Sequence, residues 1–368
     1  MVNTAGKYDS AASRWAGVGP YYAMFPSAFA DSVIGAYTRR GDVVLDPFAG
    51  RGTAIFSAAI SQRRGVGVEI SPVGWVYAQT KLWPASHAAV AHRLTEISRI
   101  AYRHRAAAKD MPPFFHWCYQ PNVLEFLLAA RNQLNWRNSS TDRTTMAILL
   151  INLHGKRDDS LSNQMRQTKS MSPAYAINWW RKHRLRPPEL DPAEFLEKRL
   201  AWRYAKGVPK TEGSRVYLGD SSRVLRRVRS SWLARDKRAR LLFTSPPYYG
   251  ITNYYYDQWL RLWLLGGQAN AARLGGRFTG KFENKEEYAN LLLEVFANAK
   301  KLLARDATIY VRTDRRRQTL TTTLRVLTEV FPLHSLRQVA RPYTRPTQTR
   351  LFGPSEPRVG EMDLILTR

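Results

Sequence analysis

The sequence predicts an α/β protein in which a mostly parallel sheet is interrupted by a mainly helical insertion. Three apolar runs of strand length support this prediction, at residues 43–45, 65–70 and 241–243. The first two alternate with helical patterns, as in βα units. That alternation then stops, and helical periodicity replaces it until the third run. We therefore expect two halves of a sheet domain and an insert between them, with bounds of 1–81, 213–368 and 82–212.

The N-terminal region is predicted to contain one helix. Residues 1–20 are polar and rich in small side chains, so we expect them to be loosely ordered. From residue 21 apolar side chains recur at helical spacing, at Phe25, Phe29, Val33, Ile34 and Tyr37. Pro26 suits the first turn of such a helix. The pattern indicates an amphipathic helix that packs on the sheet.

A glycine-containing loop follows the first strand. Residues 46–52 connect this strand to a helix that begins near Thr53, which places a ligand site at the carboxyl end of the strand. Gly50 and Gly52 let the backbone approach a ligand closely. The position three beyond Gly52 is Ile55, so the third glycine of a dinucleotide fingerprint is missing. Binding of NAD is therefore disfavoured.

Two later strands end in carboxylates. Glu69 ends the strand at residues 65–70, where the second strand of a βαβ unit commonly presents an acid to ribose hydroxyls. Asp220 follows a strand that begins at Arg215. It is placed either beside a ligand or as the cap of the next helix.

The run at residues 241–243 ends abruptly in Thr-Ser-Pro-Pro-Tyr at residues 244–248. Two consecutive prolines fix the backbone and remove two N–H donors, so the carbonyls of Ser245 and Pro246 remain as acceptors. An amino group on a flat ring would meet only acceptors there, and Tyr248 offers a face for stacking. We expect a rigid elbow that handles such a ring. Beyond it the pattern predicts a helix at 285–303, a strand at 307–312, a helix through Arg325 and two closing strands near Leu336 and Asp363.

The insert is the candidate region for target recognition. Helical periodicity is clearest at residues 88–105, 123–134, 144–153 and 192–204. Between the last two lies a passage in which cations follow aromatic residues, a composition typical of nucleic-acid contacts, although a solvated face beside a buried tryptophan pair remains an equal alternative. With the elbow and a C-terminal loop, the candidate nucleic-acid contacts are Asn163, Arg166, Trp180, Arg181, Lys182, Arg184, Tyr249, Arg345 and Arg350.

The charge of the chain indicates a polyanionic partner. The formal net charge is +28, far more than solubility requires. Residues 1–81 contain eight basic and five acidic side chains, whereas residues 82–215 contain 22 and 11. The basic excess is therefore concentrated in the insert and the C-terminal half. An arginine-rich proteome or a thermophilic source would raise the total charge but would not explain this asymmetry.

Composition also excludes several classes of protein. Cys118 is the only cysteine, so neither a disulfide framework nor a thiolate metal cluster is expected. Methylation of cytosine at C5 needs a thiolate nucleophile. The aromatic surroundings of Cys118 are instead typical of a buried structural thiol, so this reaction is disfavoured. Neither a membrane-spanning segment nor a signal peptide is apparent, so we expect a cytoplasmic protein associated with a prokaryotic nucleoid.

The glycine loop, Asp-Pro-Phe-Ala-Gly-Arg-Gly-Thr at residues 46–53, and the elbow together resemble the DNA amino-methyltransferases of the N4-cytosine/N6-adenine family. This resemblance implies S-adenosylmethionine (SAM) as the cofactor and a class I SAM-methyltransferase fold, Rossmann-like with seven strands. The Ser-Pro-Pro-Tyr form is associated mostly with N4-cytosine, and the Asp-Pro-Pro-Tyr form with N6-adenine. Arg51 departs from the serine often found there, and the insert lies in an uncommon position.

The resemblance also implies roles for single residues. Asp46 would pair with the ammonium group of SAM. The cofactor set is Phe25, Pro26, Asp46, Pro47, Phe48, Gly50, Gly52, Thr53, Glu69, Asp220 and Thr244. The catalytic set is Ser245, Pro246, Pro247 and Tyr248.

The expected function is methylation of cytosine N4 in double-stranded DNA, with the base flipped out of the duplex. Three alternatives remain open: N6-adenine methylation of DNA, methylation of an RNA amino group, and nucleic-acid binding without catalysis. The resemblance also leaves open a cognate restriction endonuclease as a partner.

Overall fold

The computed structural model describes residues 8–20, 25–211, 213–231, 238–250, 253–271, 282, 284–341 and 360–368. The chain divides into two compact units. The sheet unit comprises Ala23–Ala78, Lys210–Asn253 and Gly275–Arg368. The helical unit comprises Met1–Tyr22, Gln79–Pro209 and Tyr254–Leu274.

The described part of the sheet unit contains one seven-stranded sheet. Its strands are β1 (Val43–Asp46), β2 (Arg64–Glu69), β3 (Arg215–Leu218), β4 (Ala239–Thr244), β5 (Leu303–Asp314), β6 (Ser335–Arg341) and β7 (Glu361–Thr367). The order across the sheet is β3-β2-β1-β4-β5-β7-β6. The first five strands of this order, from β3 at the edge to β5, pair in parallel. β7 is antiparallel to both its neighbours, β5 and β6.

This strand order places the topological switch point between β1 and β4, where the chain winds outwards in opposite directions. In open α/β sheets ligands bind at the carboxyl ends of the strands beside that point. The mostly parallel sheet of seven strands confirms the predicted class I methyltransferase fold.

Helices cover both faces of the sheet. Side chains of Ser27–Tyr37 and Thr53–Ile60 pack with Val44 and Leu241 on one face. Side chains of Lys285–Lys300 and Arg317–Val330 pack on the other face, together with the helix Ser221–Ser231. Adjacent strand residues alternate between these two cores, because successive side chains of a strand point to opposite faces. The predicted C-terminal helices and strands are confirmed.

The helical unit contains the four helices predicted in the insert. They are His87–Ile100, Pro121–Gln133, Ser140–Asn152 and Pro192–Tyr204. A 3-10 turn, Ala101–His104, continues the first of them. Pro72–Leu82 leads into the unit, which also contains Arg105–Lys109, Pro113–Cys118, Pro173–Lys182 and the 3-10 turn Arg157–Asp159. The sequence did not predict the helices that begin at Pro113 and Pro173, although a proline suits the first helical position.

Two segments outside the predicted insert also belong to the helical unit. Residues 8–20 are ordered, contrary to expectation: Ser10 caps the helix Ala11–Ala16, and the fully buried Trp15 donates a hydrogen bond to the Gly207 carbonyl. The helices Tyr254–Asp257 and Trp259–Leu264 follow the elbow. Arg261 on the second of these is fully buried and donates to the Leu150 carbonyl at 3.0 Å.

None of the helices in the described part of the chain reaches the length and hydropathy that crossing a lipid bilayer would require.

Candidate active site

The glycine loop and the elbow leave the sheet side by side. β1 and β4 are parallel neighbours, so both loops emerge at the same edge. The Thr244 hydroxyl, at the end of β4, donates a hydrogen bond to Asp46 Oδ1 at 2.6 Å, at the end of β1. These two residues are 198 positions apart in the sequence. The structure thus brings together the two motifs that carried the sequence prediction.

Asp46 is a buried carboxyl group with one oxygen already occupied. Oδ1 accepts from the Phe48 N–H at 3.0 Å as well as from Thr244, whereas Oδ2 has no hydrogen-bond partner among the described residues. Burial raises the pKa of Asp46 to about 7, although both hydrogen bonds act in the opposite direction. A cation at Oδ2 would favour the ionised form, because an opposite charge stabilises a carboxylate.

The backbone of the glycine loop is held close to a helix. Gly50 and Gly52 have φ values of 54° and 74°, in the left-handed region. A Cβ atom on Gly52 would lie only 2.8 Å from the Cβ of Ala78. Immediately after it, Thr53 begins the helix Thr53–Ile60, and its Oγ1 is buried without a hydrogen-bond partner among the described residues. Glycine is therefore required at position 52 for both conformation and space.

Glu69 shapes the glycine loop from the end of β2. Its Oε2 accepts from the Gly50 N–H at 2.6 Å, and its Oε1 accepts from the Ser71 N–H at 2.8 Å. These two hydrogen bonds fix the Glu69 carboxylate against the glycine loop. The structure thus gives Glu69 a loop-forming role that its position in the sequence did not reveal.

Three other predicted cofactor residues lie at the same edge of the sheet. The Pro47 carbonyl accepts from the Ser221 hydroxyl. Phe48 is partly buried and packs edge-to-face on Phe296. Asp220 Oδ1 accepts from the Ser222 N–H at 2.9 Å, which is the capping arrangement that the sequence left as an alternative.

The N-terminal candidates Phe25 and Pro26 differ in exposure. Phe25 is buried and stacks on Phe243 of β4, with the ring centroids 4.5 Å apart and the planes 5° from parallel. Pro26 is exposed and precedes the helix Ser27–Tyr37. Phe25 therefore supports the strand that leads into the elbow.

The elbow residues are only partly accessible. Ser245 and Pro247 are half-buried, Pro246 is buried, and Tyr248 is 6% exposed. Ser245 Oγ donates to Tyr248 Oη at 3.4 Å, and Tyr248 Oη donates to Glu361 Oε1 at 3.4 Å. Catalytic hydrogen bonds often reach their full strength only in the complex with the substrate.

A buried charged cluster lies next to the elbow. Arg312 Nε donates to Asp363 Oδ1 at 2.6 Å, and its Nη1 lies 3.3 Å from Glu361 Oε2. Tyr310 and Arg341 also donate to Asp363 Oδ2. This cluster was not predicted from the sequence. Its only signal is a pair of acids, Glu361 and Asp363, at alternate positions in an otherwise apolar strand.

The candidate nucleic-acid residues separate by burial. Asn163 and Trp180 are fully buried, which rules out direct contact with nucleic acid in this conformation. Asn163 Nδ2 donates to the Trp117 carbonyl and Trp180 Nε1 donates to the Gln164 carbonyl. Both side chains therefore stabilise the helical unit, and their predicted role as nucleic-acid contacts is corrected.

The cationic candidates are exposed. Arg166, Lys182 and Arg184 are open to solvent, as is Arg181, which lies over the Trp117 ring at 5.2 Å. Tyr249 is half-buried, and its ring lies 5.7 Å from that of Tyr288. Arg345 and Arg350 lie outside the described residues.

The helical unit also contains a cleft of about 480 Å³, which lies beside the end of the basic segment at residues 181–186. Arg157, Arg186, His116 and Glu189 contribute its charged and polar lining. Arg186 also lies over the Trp117 ring, 4.5 Å from its centroid. Cations are thus arranged around one half-buried aromatic side chain.

The N-terminal part of the chain is similar to known DNA methylases. Residues 3–74 match the family model N6_N4_Mtase, described as DNA methylase. A segment of 49 residues is 43% identical to the orphan methyltransferase M.BamHII of Bacillus amyloliquefaciens. It covers 13% of this chain and 18% of that protein. The word orphan in that name gives no support to the expectation of an endonuclease partner.

Among solved structures, the rRNA methyltransferase aviRa from Streptomyces viridochromogenes aligns over 98% of this chain and 96% of its own. The TM-score is 0.35 and the identity is 15%, too low for any inference about substrate. The glycine loop lies within residues 3–74, and Asp46 at its start is hydrogen-bonded to Thr244 at the start of the elbow. The family-model match therefore shows that residues 3–74 resemble the DNA methylases of that model.

Proposed function

We propose that the protein transfers a methyl group from SAM to the N4 amino group of cytosine in double-stranded DNA. The observation that carries this proposal is the hydrogen bond between Thr244 and Asp46. It joins a loop suited to a methyl donor to an elbow suited to an amino group. If the glycine loop and the elbow served unrelated purposes, they would not need to lie at the same edge of the sheet.

The residues of the glycine loop fit the cofactor. Asp46 Oδ2 has no partner among the described residues and is placed to pair with the ammonium group. Thr53 Oγ1 is a buried hydroxyl that has no hydrogen-bond partner among the described residues, so it is suited to a further polar group of the ligand. Glu69 and Asp220 would face the ribose hydroxyls and the adenine amine. When bound, SAM supplies an electrophilic methyl group on a sulfonium.

The elbow is suited to hold an exocyclic amine in position. Proline at 246 and 247 removes backbone donors, so the Ser245 hydroxyl and the Pro246 carbonyl are left to accept from the amine. Accepting these hydrogen bonds keeps the nitrogen lone pair out of ring conjugation and available for attack. Positioning of this kind supplies most of the acceleration in such a reaction.

The target base must reach the elbow from outside the duplex. Rotating a base out of the stack costs a few kcal/mol. Tyr248 would stack on the flipped ring. Because it is 6% exposed in this structure, entry of the base requires movement of neighbouring side chains. Exposed cations at Arg166, Arg181 and Lys182 are suited to the phosphates of the flanking DNA.

The test is incubation of duplex DNA with methyl-labelled SAM, followed by mass spectrometry of the nucleosides. We expect N4-methylcytosine with the wild type and a rate lower by at least about 100-fold with Ser245→Ala, by analogy with the loss of one transition-state hydrogen bond. Ser32→Ala, on the exposed face of the helix Ser27–Tyr37, is the matched control. N6-methyladenine would identify adenine as the target, and DNA binding without any methylation would favour a non-catalytic role.

A further inference from the structure

Three oxygen-containing side chains form a chain of hydrogen bonds from the elbow to β7, in which each hydroxyl donates to the next oxygen; we call it the proton line. Ser245 Oγ donates to Tyr248 Oη, and Tyr248 Oη donates to Glu361 Oε1, both at 3.4 Å. A carboxylate has no proton to give, so Tyr248 must be the donor in the second contact. That fixes the Tyr248 oxygen as acceptor for Ser245. Ser245 Oγ uses its proton in this contact, so its lone pairs are available to accept from an N–H group of a bound base.

Glu361 is fixed at one oxygen and free to accept at the other. Its Oε2 lies 3.3 Å from Arg312 Nη1, while its Oε1 faces Tyr248. Arg312 is itself fixed by two hydrogen bonds to Asp363, of 2.6 and 3.0 Å, and lies over the Phe29 ring at 3.5 Å. An acceptor fixed in this way orients the hydroxyl groups before the substrate arrives, which avoids reorganisation during the reaction.

We propose that Glu361 is a positioning residue that orients this line and receives, through Tyr248 and Ser245, the proton released when the amine is methylated. The inference rests on the proposed function. The nitrogen lone pair forms the N–CH₃ bond as the S–CH₃ bond of the donor breaks, and its electron pair remains on sulfur. The nitrogen then loses one proton, and the electrons of that N–H bond restore its lone pair.

The proton balance involves three transfers. Ser245 Oγ takes the proton from nitrogen as it passes its own proton to Tyr248. Tyr248 in turn passes its proton to Glu361, which becomes a neutral carboxylic acid. The two hydroxyl groups are unchanged at the end, and Glu361 releases the proton to solvent before the next turnover. No base other than Glu361 is needed.

Glu361 must be ionised at the start of this sequence. Burial raises the pKa of Glu361, the Arg312 guanidinium acts against that rise, and the Asp363 charge adds to it. The rate should therefore increase with pH as Glu361 ionises and then level off. Among the described residues, the charged and titratable groups that surround Glu361 are Arg312 and Asp314 on β5, Arg341 on β6, Asp363 on β7 and Tyr248 of the elbow.

The experiment measures single-turnover methylation between pH 5.5 and 8.5, with enzyme in excess over duplex DNA and SAM at a saturating concentration at every pH, so that the pH dependence of SAM binding through Asp46 does not contribute to the rate. We expect Glu361→Gln to lower the rate at pH 7 by about 100-fold, the lower end of what proton transfer contributes, and to abolish the acidic limb. Glu361→Asp should recover part of the rate and the limb. Tyr248→Phe should cause a similar loss, and adding it to Glu361→Gln should lower the rate no further.

Binding measurements separate this role from a structural one. Calorimetric affinity for SAM and the anisotropy of labelled DNA should change less than about twofold in Glu361→Gln, because the loss is in the chemical step. Asp314→Asn is the control. Asp314 is also buried at this edge and pairs with Glu361 across β5 and β7, but it accepts from the Arg316 N–H instead.

A Glu361→Gln enzyme that keeps its acidic limb, or whose loss is matched by Asp314→Asn, would overturn the inference. So would an equal loss of SAM or DNA affinity, which would indicate a structural role. If the wild type methylates DNA and Glu361→Gln does so equally well, only this inference fails. If the wild type transfers no methyl group, the proposed function fails and the proton line with it.

Discussion

Asp46 connects the protonation state of the protein to ligand binding. Its pKa is raised to about 7 by burial, so both protonation states are populated near neutral pH. One oxygen is committed to Thr244 and Phe48, and the other has no partner among the described residues. An ammonium group at Oδ2 would therefore bind the ionised form and expel a proton.

We predict that SAM affinity increases with pH up to about 7. Below pH 7 the dissociation constant should decrease about tenfold for each unit by which the pH rises, since the carboxyl must first lose its proton. Calorimetry at pH 6 and pH 8, in two buffers with different ionisation enthalpies, measures both the affinity and the protons released. An affinity that does not change with pH would contradict the pairing of Asp46 with the ammonium group.

The same residue should show opposite effects on stability and binding. A raised folded-state pKa gives a contribution to stability that is present below the unfolded pKa and is lost as pH rises through about 7. Asp46→Asn should therefore raise the free energy of unfolding at pH 8, by up to about 4 kcal/mol, and have little effect at pH 4. The substitution should weaken SAM binding strongly at pH 8 and much less at pH 4, where the wild-type carboxyl is already protonated.

Urea unfolding at the two pH values, without ligand, measures this change. Asp110→Asn, at an exposed position, is the control and should leave the free energy of unfolding unchanged. Destabilisation of Asp46→Asn at pH 8 would show that the ionised carboxylate stabilises the fold.

At the scale of elements, the glycine loop depends on its contact with the helix Pro72–Leu82. We predict that Gly52→Ala lowers stability by about 1 to 3 kcal/mol from backbone strain alone, with a further loss from the clash with Ala78. SAM affinity should fall as the loop shifts. Gly41→Ala is a matched control, because Gly41 has a φ of 85° but open space around its Cβ position.

Thermal unfolding and SAM calorimetry of both variants separate strain from the clash. Gly41→Ala should lose stability but keep its SAM affinity. Equal effects of the two substitutions on SAM binding would show that the contact with Ala78 does not position the loop.

The elements at the site differ in how far the sequence could predict them. The glycine loop and the elbow were predictable because glycine, proline and the end of an apolar run impose local conformations. The burial of Trp180 was not predictable, because the helix Pro173–Lys182 could have buried either face. The burial of Asn163 depends on distant backbone carbonyls, those of Trp117 and Leu185, which no local pattern reveals. Glu361 could not be linked to Tyr248, because no local pattern reports a contact between residues 113 positions apart.

At the scale of the whole molecule, the predicted fold class was correct but the division of the chain was simpler than the structure. The segment Tyr254–Leu274 belongs to the helical unit, although it follows directly on the elbow. Its buried Arg261 and Trp259 satisfy their donors with carbonyls of that unit, and such long-range pairing leaves no mark on local periodicity.

The net charge of +28 should make DNA binding strongly dependent on salt. We predict that Arg181→Ala, Lys182→Ala and Arg184→Ala together reduce the slope of log affinity against log salt by about 3, since each removes about one phosphate contact. Fluorescence anisotropy with duplex DNA at 50 to 300 mM salt measures the slope. Arg39→Ala with Arg40→Ala, at exposed positions of the sheet unit, should leave it nearly unchanged.

Because β7 runs against its neighbours, it is the first residue of this strand, and not the last, that lies among the carboxyl ends of the parallel strands. Glu361 and Asp363 share one face there, and Met362 and Leu364 share the other. A slip of β7 by a single residue would exchange the acidic pair for the apolar pair while leaving most backbone pairing in place. Loss of function without loss of the sheet is thus the expected outcome of a one-residue insertion at the start of this strand.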